Sequence, residues 1–223
     1  MDVRVLAAAD LHGVGSVYEW LVEVAQDQRP DAMLLAGDLL VGGWQEEQQR
    51  QIQEFIVPWL RKLPVPVFYL MGNDDFVGLE YEDERVRRLH GQRLELGGYN
   101  FVGYQYSPPF VGGIFEKPEA EIEQDMRALE PLLDDKTVLV THSPAYGVLD
   151  RTYSGEAVGS RSLASLLKRR RVLAHIHGHI HESFGREGKH FNVAAAGRRR
   201  AVLVELPSLE HTVLRGTSAA EWG

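Results

Sequence analysis

The chain contains no cysteine. That excludes disulfides and thiolate metal sites. Any bound metal must be held by imidazole, carboxylate or amide groups, a donor set that suits Mn, Fe or Zn better than soft Cu(I). Positive charge is scarce: 24 Lys and Arg stand against 32 Asp and Glu, a net charge of −8. This argues against a non-specific nucleic-acid binder. No apolar run is long enough to span a membrane. The short run opened by Met1-Asp2-Val3-Arg4 has the wrong length and flanks for a signal peptide. A cytoplasmic location is therefore the default expectation. No fixed-period repeat, low-complexity tract or linker-like boundary interrupts the chain. One domain over residues 1–223 is expected, long enough for a substantial core.

An apolar fraction of 44% and a charged fraction of 25% are ordinary for a globular protein. Val3 to Ala9 reads as a buried strand. Val17, Trp20, Leu21, Val24 and Ala25 follow helical spacing. Ala32 to Ala36 is a second buried strand. Ile52, Phe55, Ile56, Trp59, Leu60 and Leu63 form a second helical stripe, which Pro58 should kink or divide. Val65 to Met71 is a third strand. This βαβαβ run predicts a parallel sheet. Arg93 to Leu96, Gly97-Gly98 and Asn100 to Tyr104 read as a hairpin. Tyr106 to Phe115, rich in Gly and Pro, reads as a loop. Ile122, Met126, Leu129 and Leu133 mark another helix, and a further one begins near Ser160. Further strands are expected at Val138 to Thr141, at Leu173 to His177, near Val193, at Val202 to Leu206 and at Thr212 to Leu214. Many strands, with helices in both halves of the chain, suggest two packed sheets flanked by helices.

Seven metal-type residues follow these apolar runs in five clusters. They are Asp10 and His12 in Asp-Leu-His, Asp38 in Gly-Asp, Asn73 in Gly-Asn-Asp-Asp, His142 in Thr-His, and His179 with His181 in Gly-His-Ile-His. Asp10, Asp38, Asn73, His142 and His179 each lie just past the C-terminal end of an expected strand, where open α/β sheets place their ligand crevice. Gly37, Gly72 and Gly178 precede ligands, where a turn calls for permissive dihedrals. Asp38 is expected to bridge two cations, with Asp10, His12 and His181 around one and Asn73, His142 and His179 around the other. In a tight turn His179 and His181 can each reach a different metal. Two metals about 3.5–4 Å apart form a clamp for phosphoryl-ester hydrolysis, with a metal-held water as nucleophile. Each motif alone is weak; all five in order at strand ends are specific.

This pattern resembles the calcineurin-like metallophosphoesterase superfamily from Val3 to about Gly197. Thr141-His142-Ser143-Pro144, Leu149-Asp150-Arg151, Gly159-Ser160-Arg161-Ser162-Leu163 and Gly178-His179-Ile180-His181-Glu182-Ser183 are similar to a small prokaryotic subgroup related to brain-type metallophosphodiesterases. The resemblance implies an α/β, four-layer αββα sandwich of two mixed sheets flanked by helices. It also implies two divalent metal ions, Mn, Fe or Zn, and a small phosphoester substrate, with a phosphodiesterase favoured over a phosphomonoesterase, a nucleotidase or a scaffold of the same fold. One departure stands out. The superfamily's Gly-Asn-His-Glu/Asp becomes Gly72-Asn73-Asp74-Asp75, so Asp74 occupies the place of a histidine assigned to protonating the leaving group or stabilising the transition state. Asp38, Asn73, Asp74 and His142 are the catalytic candidates.

Several other residues are read more plainly. His175 and His177 are expected in the core or behind the metal ligands, with His177 nearer to them. His190 and His211 are expected at the surface. Lys168-Arg169-Arg170-Arg171 complements a helix C-terminus. Arg198-Arg199-Arg200 is a weaker candidate for phosphate contact. The loops Tyr106 to Phe115 and Arg151 to Gly159 are candidate pocket walls, and Asn192 a candidate for orienting a nearby turn.

Overall fold

The computed structural model describes residues 2–40 and 46–217. Met1 and residues 41–45 and 218–223, part of the expected 1–223 domain, lie outside that description. Two six-stranded mixed sheets form the centre. The first is built from β1 (Val3–Ala8), β2 (Ala32–Ala36), β3 (Val67–Leu70), β4 (Val86–Arg88), β11 (Arg200–Leu206) and β12 (His211–Arg215), in the order β12-β11-β1-β2-β3-β4. β1 to β4 pair in parallel, and β11 and β12 join antiparallel. The second contains β5 (Arg93–Leu96), β6 (Tyr99–Tyr104), β7 (Thr137–Thr141), β8 (Ala174–His177), β9 (Gly185–Glu187) and β10 (His190–Asn192), in the order β5-β6-β7-β8-β10-β9.

Side-chain alternation along the strands assembles the layers. Val3, Val5 and Ala7 of β1 face Val138 and Val140 of β7 and Ala174 and Ile176 of β8, so one apolar cluster lies between the sheets. Leu6 and Ala8 point the other way, onto α1 (Gly15–Gln28) and α2 (Glu46–Lys62). Leu139 packs under α3 (Glu119–Leu129) and α4 (Arg161–Arg169). The result is the expected αββα sandwich.

The main elements fall where their periodicity placed them. Ser160 caps α4, its hydroxyl accepting from Leu163 N–H at 3.1 Å. α2 runs through Pro58 as one helix, so of the two expected effects the proline does not divide it. Ile56 and Leu60, flanking the proline, are buried against the first sheet and hold both halves in register. β4 and β9 went unread in the sequence. Each has three residues and lies at a sheet edge, where charged side chains blunt further pairing and erase the apolar alternation.

Candidate metal centre

All seven metal-type residues converge at the C-terminal ends of β1, β2, β3, β7 and β8. His181 Nε2 lies 3.3 Å from Asp10 Oδ1. The rings of His12 and His181 are 5.5 Å apart. Asp10, His12 and His181 offer donor atoms within 4.8 Å of one another, and so do Asp10, Asp38 and His142. His142 Nε2 is 2.8 Å from Asn73 Oδ1 and 3.5 Å from Asp38 Oδ1. The His179 ring stands 5.0 Å from that of His142. The two histidines of Gly-His-Ile-His do separate: His179 has φ +75°, and a 3-10 turn over His181–Ser183 carries His181 to Asp10.

Backbone conformation is strained where the donors sit. Asp10, His12, Asp38 and His179 all have positive φ, a conformation that costs energy for non-glycine residues and concentrates at functional sites. Backbone bonds hold these turns together. Leu11 and His12 N–H both donate to Asp38 O, at 2.9 and 3.0 Å, and Asp10 N–H donates to Gly37 O at 2.9 Å. Gly37 adopts φ +100° as expected. Gly72 and Gly178 do not adopt positive φ; their requirement is space rather than dihedral freedom. A Cβ on Gly72 would run into the Asp38 carboxylate, and one on Gly178 into Ala9 and Asp10 Oδ2.

The donor set also fits a cation. His142 Nδ1 faces Ala36 O at 2.9 Å, so it carries the proton. In the neutral ring Nε2 then presents a lone pair to two acceptor oxygens, those of Asn73 and Asp38. Three converging lone pairs repel unless a positive charge lies among them, whether a proton on the ring or a metal ion that replaces it. Burial opposes charge on His142, yet Asp38 and Asp10 raise its pKa above the ordinary value. Burial likewise opposes ionisation of Asp10, but the hydrogen bond and charge of His181, with His142 and His12, hold its carboxyl below the usual range. Asp38 is raised by burial, which His142 opposes and Asp10 reinforces. His179 is pushed down to about 3 by burial and by His142, leaving a neutral imidazole. Buried carboxylates beside a neutral imidazole are ligands for a hard or borderline divalent ion.

A sequence model of the calcineurin-like phosphoesterases matches residues 3–183. The chain belongs to this family. It is 30% identical over 171 residues to a UPF0046 protein of Caenorhabditis elegans, covering 70% of this chain and 58% of that protein. It is 27% identical over 209 residues to a probable rhamnogalacturonate lyase C of Emericella nidulans, covering 83% of this chain but 18% of that protein. The chain thus spans less than two thirds of either relative. Among solved structures, TT1561 of Thermus thermophilus superposes with a TM-score of 0.71 at 17% identity, covering 96% of this chain and 99% of that one. A dimetal phosphatase from Danio rerio superposes with a TM-score of 0.59 at 11% identity, covering 96% and 98%. These likenesses concern the fold.

The departure from the family pattern has a structural counterpart. Asp74 Oδ2 lies 3.3 Å from His12 Nδ1, so the carboxylate that replaces the family's histidine pairs with an imidazole. Burial opposes charge on His12, but its hydrogen bond to Asp74 and the charge of Asp38 raise its pKa to about 9. Asp75, next in the chain, is fully buried. Its carboxylate accepts from the N–H groups of Leu40 (2.7 Å), Gly72 (2.8 Å) and Leu39 (3.2 Å), tying the Gly-Asp turn to the Gly-Asn turn. Burial and the nearby Asp38 push its pKa up to about 7, against those three donors.

Further residues support these turns. Gln49 of α2 is buried and accepts from Phe76 and Val77 N–H, while its amide donates to Asp74 O. Gln49 was missed in the sequence. Its signal is there, since Gln49 and Gln53 continue the stripe of Ile56 and Leu60 at helical spacing. Asn192 Nδ2 donates to Ile180 O at 2.8 Å, gripping the residue between His179 and His181. Arg200 Nη2 donates to His181 O at 3.1 Å, and its guanidinium lies 4.2 Å over Phe184. Arg199 instead donates to Thr217 O. Arg169 and Arg170 pair with Glu130 at the end of α4. His177 is buried, its Nδ1 3.3 Å from Gly178 O. His211 is exposed, but His190 is not simply a surface residue. It is half-buried, with Nδ1 3.0 Å from Nδ1 of buried His175, because β10 pairs beside β8 and sets the two residues opposite each other.

Proposed function

We propose that the chain is a metal-dependent phosphodiesterase acting on a small phosphoester through two divalent cations. The convergence of His142 Nε2, Asn73 Oδ1 and Asp38 Oδ1, one nitrogen and two oxygens that a divalent cation in place of a ring proton would draw together, carries this reading. Asp38 would be the shared ligand. Asp10, His12 and His181 would complete one metal's set, and Asn73, His142 and His179 the other's. When bound, the cations would supply a water of lowered pKa and neutralise the phosphoryl oxygens.

The protein's own part is orientation. Ala36 O fixes the His142 tautomer so that Nε2 is free to coordinate. His179 N–H lies 3.2 Å from both carboxylate oxygens of Asp10 and steadies that carboxylate. Asp74 accepts the hydrogen bond of His12 Nδ1–H, so a metal that displaces the other ring proton would find Nε2 of that ring turned to it. So engaged, Asp74 does not protonate the leaving group. The water would give a proton to solvent as its oxygen bonds to phosphorus, the phosphorus–oxygen bond to the leaving group would break, and the departing oxyanion would take a proton from solvent. Such a site favours diesters and acidic leaving groups. A monoester dianion also meets more repulsion from Asp74 than a diester monoanion does.

The test is a screen of purified protein against aryl diesters, aryl monoesters and cyclic nucleotides, with Mn and with chelator. Chelator-sensitive turnover, fastest on the diesters, is expected. Metal-independent turnover, or faster turnover of the monoesters, would overturn the assignment.

A further inference from the structure

One wall of the site is a fixed loop that carries exposed apolar side chains. Residues 107–117 leave β6 and double back: Ser107 N–H donates to Phe115 O at 3.1 Å and Lys117 N–H to Ser107 O at 2.9 Å. Inside this closure a single carboxylate, Glu116, accepts three successive backbone N–H groups, from Phe110 (2.9 Å), Val111 (2.7 Å) and Gly112 (2.9 Å). Three bonds to a charged acceptor leave the tip of the loop little freedom. The tip also abuts the site. Gly113 lies so close to the carbonyl of Asn73 that a Cβ there would strike it, and the Phe110 ring stands 4.7 Å from that of His179, edge to face. Phe110 is nevertheless 51% exposed and Ile114 57% exposed, while Phe115 is buried and anchors the loop in the core.

A loop held this tightly, with a half-exposed ring against one metal-type histidine and its backbone against a second metal-type residue, is a preformed surface for whatever is attached to the phosphorus. We infer that Phe110 is a specificity-determining residue, taking a planar aromatic or nucleobase substituent of the phosphoester. This rests on the phosphoesterase reading above. The chemistry is ring against ring, which is favourable beyond burial alone and indifferent to the substituent's hydrogen-bonding pattern. A compact alkyl ester would touch the same metals and leave the ring in water.

The probes are two monoanionic diester mimics of equal charge, monomethyl phenylphosphonate and monomethyl methylphosphonate. Each is titrated calorimetrically into Mn-loaded protein. Wild type should bind the phenyl compound about five- to tenfold more tightly. Phe110→Ala should bring the phenyl compound down to the affinity of the methyl one, and Phe110→Tyr should restore the preference. Equal affinities in wild type, or a phenyl preference that survives in Phe110→Ala, overturn the inference while leaving the phosphoesterase reading intact. If neither compound binds Mn-loaded wild type, both fail together. Phe110 is half exposed, so its variants should retain the wild-type melting temperature, which is checked alongside.

Discussion

Gly72→Ala separates the geometry of the centre from its chemistry, because it removes no donor atom. Gly72 does not have the positive φ that would strain an alanine, so the effect is steric. The new Cβ would lie 2.6 Å from Asp38 N and 2.6 Å from His142 Cε1, besides meeting the Asp38 carboxylate. Restoring ordinary contact of 3.4 Å requires displacements of about 0.8 Å at both residues. Metal–ligand distances tolerate about 0.2 Å. Two ligands would therefore move several times farther than coordination allows. Displacing one orienting group costs about 10–100-fold in metal affinity; two displaced ligands should cost at least about 100-fold. Overpacking should cost about 1–3 kcal/mol of stability, which for a domain of this size lowers the melting temperature by about 2–12 °C. Chelator-competition titration with Mn, beside a melting curve, measures both. Gly78→Ala is the control, since a Cβ there meets nothing within 4 Å and its φ is not positive; it should change neither. Wild-type Mn affinity in Gly72→Ala would refute the claim that Asp38 and His142 are ligands held in place by the missing side chain.

Three further expectations follow from named contacts. Asp38→Ala should lose more activity than His12→Ala, by about tenfold or more, because it serves both metals; equal residual turnover at matched metal occupancy counts against the bridge. Asp74→His should gain on alkyl esters with poor leaving groups and little on p-nitrophenyl esters, since general-acid help is worth about 10²–10⁴-fold where the leaving group is poor; no differential gain speaks against the role given to Asp74. Burial holds the His190 pKa down to about 4 and that of His175 well below its ordinary value of 6.5. Below pH 6.5 the unfolded chain takes up protons that the folded one refuses, so stability should fall between pH 6.5 and 4. His190→Gln removes one titrating group, and denaturant melts over that range should lose slope by up to about 1.4 kcal/mol per pH unit; an unchanged slope would mean that His190 is not held neutral.

The residues that converge were legible because each cluster stands directly past an apolar run, and local sequence marks strand ends well. Asp10, Asp38, Asn73, His142 and His179 needed no knowledge of distant contacts. What surrounds them depends on segments brought together only by folding. Asp74 meets His12, Gln49 meets the turn after Asp74, and Phe110 meets His179; none of these pairs is close in the chain. The glycines were read correctly as necessary and incompletely as to cause. Positive φ explains Gly37, but the neighbours that exclude a Cβ at Gly72 and Gly178 come from other strands. His190 read as a surface residue because strand pairing between β8 and β10, which sets it opposite His175, leaves no local mark. Short, charged edge strands such as β4 carry no periodicity to detect.

Metal content tests the central claim most directly. The protein should be loaded with Mn, freed of excess, and assayed by elemental analysis and by anomalous scattering from crystals. Two ions per chain are predicted, about 3.5–4 Å apart, with Asp38 between them. A single ion at saturating Mn, or ions placed away from Asp38, would contradict the dinuclear account.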